Sequence, residues 1–311
     1  MADLLHSSAR VYDVVVVGGG PAGLSAALVL GRCRRRVLVC DSGTPRNAAS
    51  TALHGYLTRD GTAPLELLRL GREELEPYGI EFRRMEITDV AHVEEAFELT
   101  LAGGARVRSR SVLLATGVRD HLPSVPGIDE CYGVTVHHCP YCDGWEHRDK
   151  TLAVIGRSTA AAALSLSLRT WTDHVVLCTN GASRLTREQR AQLAAQRVAI
   201  REERLTGVDH TDGHVQQLRF RRGDAVPCDA VFFSGKQTQQ SDFPKRLGCE
   251  FTRKGTVKTD DLGETCVPGI YVVGDASRDV QFAIVAAAEG AKAGVAINKA
   301  LQARAGLAVS G

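Results

Sequence analysis

Cys139-Pro140-Tyr141-Cys142-Asp143 holds two thiols at the spacing of a redox pair, with a carboxylate directly after the second. Two cysteines separated by two residues close a small ring on oxidation, and Pro140 stiffens the turn between them. The first thiol of such a pair often has a lowered pKa and attacks a partner disulfide or thiol. Asp143 stands where a carboxyl could give or take the exchanging proton; an ordinary turn residue before Gly144 is the plainer alternative. His137 and His138 precede the pair, and His-x-Cys-x-x-Cys offers three or four zinc ligands. Structural zinc normally draws ligands from a second segment, and no second CxxC or paired histidine exists, so no metal is expected. A histidine that tunes the thiolate and two merely structural histidines both stay open, as does the role of Trp145-Glu146-His147.

A glycine loop stands on either side of this pair. Upstream, the apolar run Val11–Val17 enters Gly18-Gly19-Gly20-Pro21-Ala22-Gly23. A near-continuous apolar run marks a parallel strand buried on both faces. Residues 22–30 then read as a helix and Val37–Cys40 as the next strand, ending in Asp41, 18 positions after Gly23. Strand, glycine turn, helix, strand and acid together form a dinucleotide-binding fingerprint. Gly18 allows the tight turn, Gly20 lets backbone approach a pyrophosphate, and Gly23 permits close helix–strand packing. The helix N-terminus, with Pro21 and Ala22, would face the phosphates with unpaired N–H groups and partial positive charge, and Asp41 would accept from a ribose. Downstream, Leu152–Ile155 leads into Gly156-Arg157-Ser158-Thr159-Ala160-Ala161, a loop of the same plan with Ser158 in place of the second glycine.

The rest of the sequence must position these parts. At 311 residues the chain is long enough for about two domains. Its 44% hydrophobic and 24% charged residues are those of an ordinary globular protein. A net charge of +2 argues against nucleic acid as a partner. The arginines at 32 and 34–36 read as a solvated helix end, with peripheral membrane contact the lesser alternative. No stretch reaches the ~20 apolar residues of a membrane span, and residues 1–10 lack a secretory pattern. Nine cysteines, seven of them scattered singly, suit a reducing cytoplasm, where a lone Cys is usually a small buried hydrophobe. A helix is expected over 65–76 and short strands over 80–113, before the small-residue turn Ala115-Thr116-Gly117. Pro123, Pro126 and Gly127 suggest a crossover between domains. A helix over 160–168 and a strand over 175–177 follow the second loop. A buried strand over 270–275 ends in Gly274-Asp275, before an alanine-rich helix over 282–301. The fold class is α/β, with two Rossmann-like nucleotide-binding domains, the second inserted in the first.

Taken in order, the first glycine loop with Asp41, Ala115-Thr116-Gly117, Cys139 to Asp143 and Gly274-Asp275 resemble the low-molecular-weight thioredoxin reductases over essentially the whole chain. The resemblance implies an FAD domain over 1–119 and 244–311 and an inserted domain over 120–243 carrying the CxxC. It implies that Asp275 meets the ribityl or pyrophosphate region of FAD and that Gln281 and Phe282 lie near the isoalloxazine. It makes Cys139 the exchanging thiol, Cys142 the one that reaches flavin C4a, and a homodimer the expected assembly.

A working NADPH site in this family has G-x-G-x-x-A and, after the next strand, a basic cluster for the 2′-phosphate. Here Ser158 crowds the pyrophosphate, and Cys178-Thr179-Asn180-Gly181 brings no basic residue before Arg184. Losing two charge-assisted bonds, at ~1.5–3 kcal/mol each, weakens binding on the order of 10²–10⁴-fold. Arg184 or Arg187 could substitute. NADH lacks the acid it would need at the end of that strand. The chain is therefore similar to nucleotide-independent relatives, the dithiol oxidases, the ferredoxin-linked thioredoxin reductases and the diflavin-linked disulfide oxidoreductases. The expected function is electron exchange between the Cys pair and FAD, in the thiol-oxidising direction, on a small dithiol or thioredoxin-like partner. A second FAD in the vacated site is a further expectation. An NADPH-dependent thioredoxin reductase and a non-catalytic flavin redox sensor are the alternatives.

Overall fold

The structure, a computed structural model, describes residues 11–278 and 280–307; the signal-sequence reading of residues 1–10 lies outside them. Four strands build a parallel core, the two inner apolar runs Val37–Cys40 and Val11–Val17 flanked by more polar neighbours. In spatial order they are Glu81–Arg83, Val37–Cys40, Val11–Val17 and Arg106–Leu114. Alternate valines of the second-innermost strand serve two cores: Val15 and Val17 face one, Val14 and Val16 the other. Burial on both faces is what makes that strand read as a near-continuous apolar run, interrupted only by Asp13. Arg106–Leu114 has two different partners on its outer side. Its first half pairs antiparallel with Ala96–Leu101, which continues to Ile87–Val93, while Val112 to Leu114 pair in parallel with Ile270–Val272. The C-terminal segment thereby returns to the first sheet. The helix expected over 282–301 spans Ala283–Arg304 and packs on Pro21–Arg32. Contact is close enough that a Cβ at Gly290 would lie 2.0 Å from the Ala22 carbonyl oxygen.

A second, five-stranded parallel sheet has the order Ala199–Arg201, Val175–Cys178, Leu152–Ile155, Ala230–Phe233, Val136–His137. Helix Thr159–Leu168 covers one face, and a three-stranded antiparallel sheet (Leu205–Thr211, His214–Phe220, Val226–Pro227) packs on the other. The chain crosses between the two units twice, at Val118–Asp120 and Gln237–Gln239, which pair antiparallel. The crossing precedes the punctuation at Pro123, Pro126 and Gly127; Val125 and Ile128 already belong to the core of the second unit.

Three elements differ from the sequence reading. The helix expected to run to 76 ends at Glu73, and a 3-10 turn, Glu76–Tyr78, carries Pro77, which has no amide to continue an α-helical ladder. The last strand stops at Val272, because Gly274 adopts φ +72° and opens the turn Gly274–Ala276. Of the single cysteines, Cys40, Cys131, Cys178, Cys228 and Cys249 are buried, but Cys33 and Cys266 are exposed. Among the described residues no helix is long and apolar enough to cross a membrane.

Candidate active site

A cavity of about 350 Å³ runs from the first glycine loop to the cysteine pair. Each glycine of the loop has its own geometry. Gly18 holds φ +110°, and a Cβ there would sit 2.3 Å from the Ala115 carbonyl oxygen; at Gly23 it would sit 1.9 Å from the Gly18 carbonyl oxygen. At Gly20 a Cβ would meet nothing within 4 Å, so backbone alone faces open space at the start of helix Pro21–Arg32. Asp41, at the end of the second strand, lines the same cavity. So do Pro21, Ala22, Ala115, Thr116, Gly117, Gly274, Asp275, Gln281 and Phe282. Thr116 Oγ1 is buried without a hydrogen-bond partner among the described residues. A Cβ-free approach to a helix N-terminus, an acid at the strand end and an orphaned hydroxyl fit an extended dinucleotide such as FAD.

Arg46 was not anticipated, and it ties this wall together. Its Nε and Nη2 donate to both Asp120 carboxylate oxygens (2.6 and 2.7 Å). Its Nη1 donates to Asp275 and Gln281 (2.7 Å each), and Nη2 lies 2.9 Å from His138 Nε2. Gln237, on the second crossing strand, donates to both Asp120 and Gln281. One guanidinium thus joins two residues expected at the flavin, a crossing strand and the neighbour of Cys139. Burial opposes charge on Asp120, but the Arg46 hydrogen bond and the charges of His138 and Arg46 outweigh it and bring the carboxyl down to about 2. Burial, followed by the Arg46 charge, lowers the pKa of His138.

Cys139 caps the short helix Pro140–Asp143, its sulfur accepting from the Cys142 amide at 3.2 Å. The two cysteines are joined as a disulfide with Cα atoms 5.3 Å apart. Both line the cavity, with His137, His138 and Asp143. Burial, and secondarily the charge of Glu146, push the Asp143 carboxyl up to about 7 against an opposing pull from His54. His137 Nδ1 lies 3.3 Å from Asp143 Oδ1. This contact has ion-pair geometry, yet burial and its histidine neighbours push His137 down to about 3. Between pH 3 and pH 7 it is therefore a contact between neutral groups. His147, grouped by sequence with exposed Trp145 and Glu146, is instead buried, its Nε2 3.0 Å from His137 Nε2. No group of three or more His, Cys, Asp or Glu is arranged to hold a metal among the described residues.

The second glycine loop differs physically from the first. Ser158 caps helix Thr159–Leu168 without a side-chain hydrogen bond. The Arg157 guanidinium reaches across to the Asn180 carbonyl at 2.6 Å, and the Arg184 amide donates to the Arg157 carbonyl at 2.9 Å. Asn180, with φ +50°, accepts in turn from the Leu205 amide. The segment following the strand is thus fastened onto the glycine loop. Arg187 opens the helix Arg187–Ala195 behind a capping box made by Thr186 and Gln189.

Residues 12–290 match the family described as pyridine nucleotide-disulphide oxidoreductase. A probable thioredoxin reductase of Arthroderma benhamiae is 33% identical over 301 residues, covering 86% of this chain and 74% of that protein. A thioredoxin reductase of Aspergillus oryzae is 29% identical, covering 93% and 96%. The crystal structure of HlmI superposes with a TM-score of 0.91 at 39% identity, covering 96% of this chain and 95% of that one. A putative thioredoxin reductase from Bacillus anthracis gives 0.90 at 30% identity, covering 94% and 99%. The chain belongs to the pyridine nucleotide-disulphide oxidoreductase family. It is a thioredoxin reductase-like, flavin-dependent disulfide oxidoreductase.

Proposed function

We propose that this enzyme oxidises small dithiols through Cys139 and Cys142 without drawing on NADPH, and passes the electrons to oxygen by way of a single FAD. The observation that carries this reading is the bond from Arg157 to the Asn180 carbonyl. It lays a side chain across the groove between the second glycine loop and the strand end, where a pyridine nucleotide would have to lie. Ser158 adds a Cβ and hydroxyl at the position where a pyrophosphate approaches most closely. The same obstruction argues against a second flavin there.

Gly18, Gly20, Pro21 and Ala22 would hold the FAD pyrophosphate, with Gly23 packing the helix against Gly18; Asp41 would hold its ribose, and Ala115, Thr116, Gly117, Gly274, Asp275, Gln281 and Phe282 the remainder. Bound FAD supplies a two-electron acceptor. The protein's own residues perform the thiol exchange. A substrate thiolate attacks Cys139 Sγ and breaks the Cys139–Cys142 bond, and the departing Cys142 sulfur takes a proton from Asp143. The second substrate thiol attacks the mixed disulfide, so the substrate leaves as a disulfide and the protein pair is left as a dithiol. A carboxyl near 7 can hold this proton or release it at neutral pH.

Anaerobic mixing of the holoenzyme with excess dithiothreitol, and separately with NADPH, tests the reading. Dithiothreitol should bleach the flavin band and NADPH should leave it, with one flavin released per chain by acid. Rapid bleaching by stoichiometric NADPH overturns it.

A further inference from the structure

Re-forming the Cys139–Cys142 disulfide removes two electrons and two protons from the dithiol. The electrons go to the flavin that the enzyme class requires. Of the two protons, one restores the Asp143 carboxyl that had protonated Cys142, and the other, passed on through Asp143, needs a way out. Asp143 and His137 both line the cavity; His147 does not. From Asp143 Oδ1 the distance to His137 Nδ1 is 3.3 Å, and from His137 Nε2 to His147 Nε2 it is 3.0 Å. The far nitrogen of the second ring, His147 Nδ1, is buried and has no partner among the described residues. An orphaned imidazole nitrogen inside a protein needs a reason, because leaving a buried polar atom unpaired costs about 1–3 kcal/mol. The Phe232 ring packs on both histidines, with centroids 5.5 and 6.3 Å away, and keeps the pair dry.

We propose that Asp143, His137 and His147 form a proton relay that carries protons between the cysteine pair and a surface of the second unit away from the flavin cavity. This rests on the acid–base role given to Asp143 above. Each ring accepts on one nitrogen and donates from the other. Asp143 passes its proton to His137 Nδ1, His137 passes the one on Nε2 to His147 Nε2, and His147 releases from Nδ1 to a water or buffer base that reaches it; the reverse order returns a proton. Titratable groups act along the whole path. Glu146 and His54 act on Asp143, His138 and His147 on His137, and Lys150, Asp229 and His214 on His147. Lys150, Asp229 and His214 are exposed, so the charges that act on the outer end belong to solvent-facing groups. His147 acts through His137, and so is a positioning and relay residue that does not touch substrate.

The test is stopped-flow reduction of the holoenzyme flavin by dithiothreitol under anaerobic conditions, from pH 6 to 9, in low buffer and with added imidazole. In low buffer His147→Gln should slow the step on the order of tenfold, part of the 10²–10⁴ a complete acid–base group contributes. It should also shift the pH profile, and imidazole should restore much of the rate. An unchanged rate and profile overturns the relay, and so does a slower rate that imidazole leaves alone. Should His147→Gln not retain flavin, His147→Asn is put through the same comparison. Asp143→Asn separates the two levels: if it leaves the step unaffected, the acid–base reading itself fails.

Discussion

Replacing Asp143 with Asn should make the oxidised enzyme more stable at pH 8 and change it little at low pH. In the fold the carboxyl titrates at about 7 instead of 3.8, mainly because burial disfavours its charged form. Between those values the native state holds a proton that the unfolded chain has lost, so stability falls as pH rises through the window. At ~1.4 kcal/mol per unit the full penalty is about 4 kcal/mol. The side chain keeps 21% of its exposure, and that solvent contact reduces the figure to roughly 2–4 kcal/mol. About 2 kcal/mol of it should develop between pH 5 and pH 8. Asn fills nearly the same volume and does not ionise, so it escapes this loss. Denaturant unfolding of both oxidised holoenzymes at the two pH values measures the difference, and flavin release, common to both, cancels. A difference that stays constant with pH, or that grows in favour of Asp143, would refute the account of a carboxyl held neutral by burial.

Two other substitutions test the packing around the cavity. Arg46→Ala leaves Asp120 (side chain 6% exposed) without its main partner and should cost about 3–5 kcal/mol at pH 7. Arg46→Lys should recover little of this, lacking the two-pronged fork. Because Asp120 titrates at about 2 when paired, its contribution is present above pH 4 and disappears as pH falls toward 2. The difference between parent and Arg46→Ala in denaturant unfolding should shrink over that range. Gly290→Ala gains about 1 kcal/mol of helix propensity, but its Cβ would meet backbone at Ala22. The clash should win by about 1–3 kcal/mol, read as a lower Tm and weaker flavin retention, since Ala22 belongs to the glycine loop.

Much of the fold could be read from sequence because parallel strands buried on both faces leave near-continuous apolar runs. Val11–Val17, Val37–Cys40 and Leu152–Ile155 are observed with the bounds so expected. The glycine loops and the cysteine spacing were legible because each constrains a short stretch of backbone. Arg46 was not, since its partners Asp120 and Asp275 lie 74 and 229 residues away and its own loop has no periodicity. The inward turn of His147 was hidden for a related reason. Trp145 and Glu146 beside it are exposed, and nothing local says that the following turn carries the imidazole inward against Phe232. The self-fastened second loop illustrates the limit from the other side. Ser158 showed by type that the site was altered, but the reach of Arg157 to Asn180 depends on how two separated turns meet.

The paired crossing strands carry a consequence for how such a protein can change over time. Val118 lies opposite Gln239, Asp120 opposite Gln237, and the Gln240 amide donates to the Gly117 carbonyl at 3.1 Å. The thiol-bearing segment therefore leaves and re-enters the larger sheet through one narrow gate, with its two ends about one strand spacing, ~4.8 Å, apart. A cut and rejoin at this gate would lift out the segment as a cassette and ask of the remaining chain only a short turn to close it. Loop closure over so small a gap is inexpensive, so a different cassette could be fitted to the same sheet without disturbing a single one of its strands.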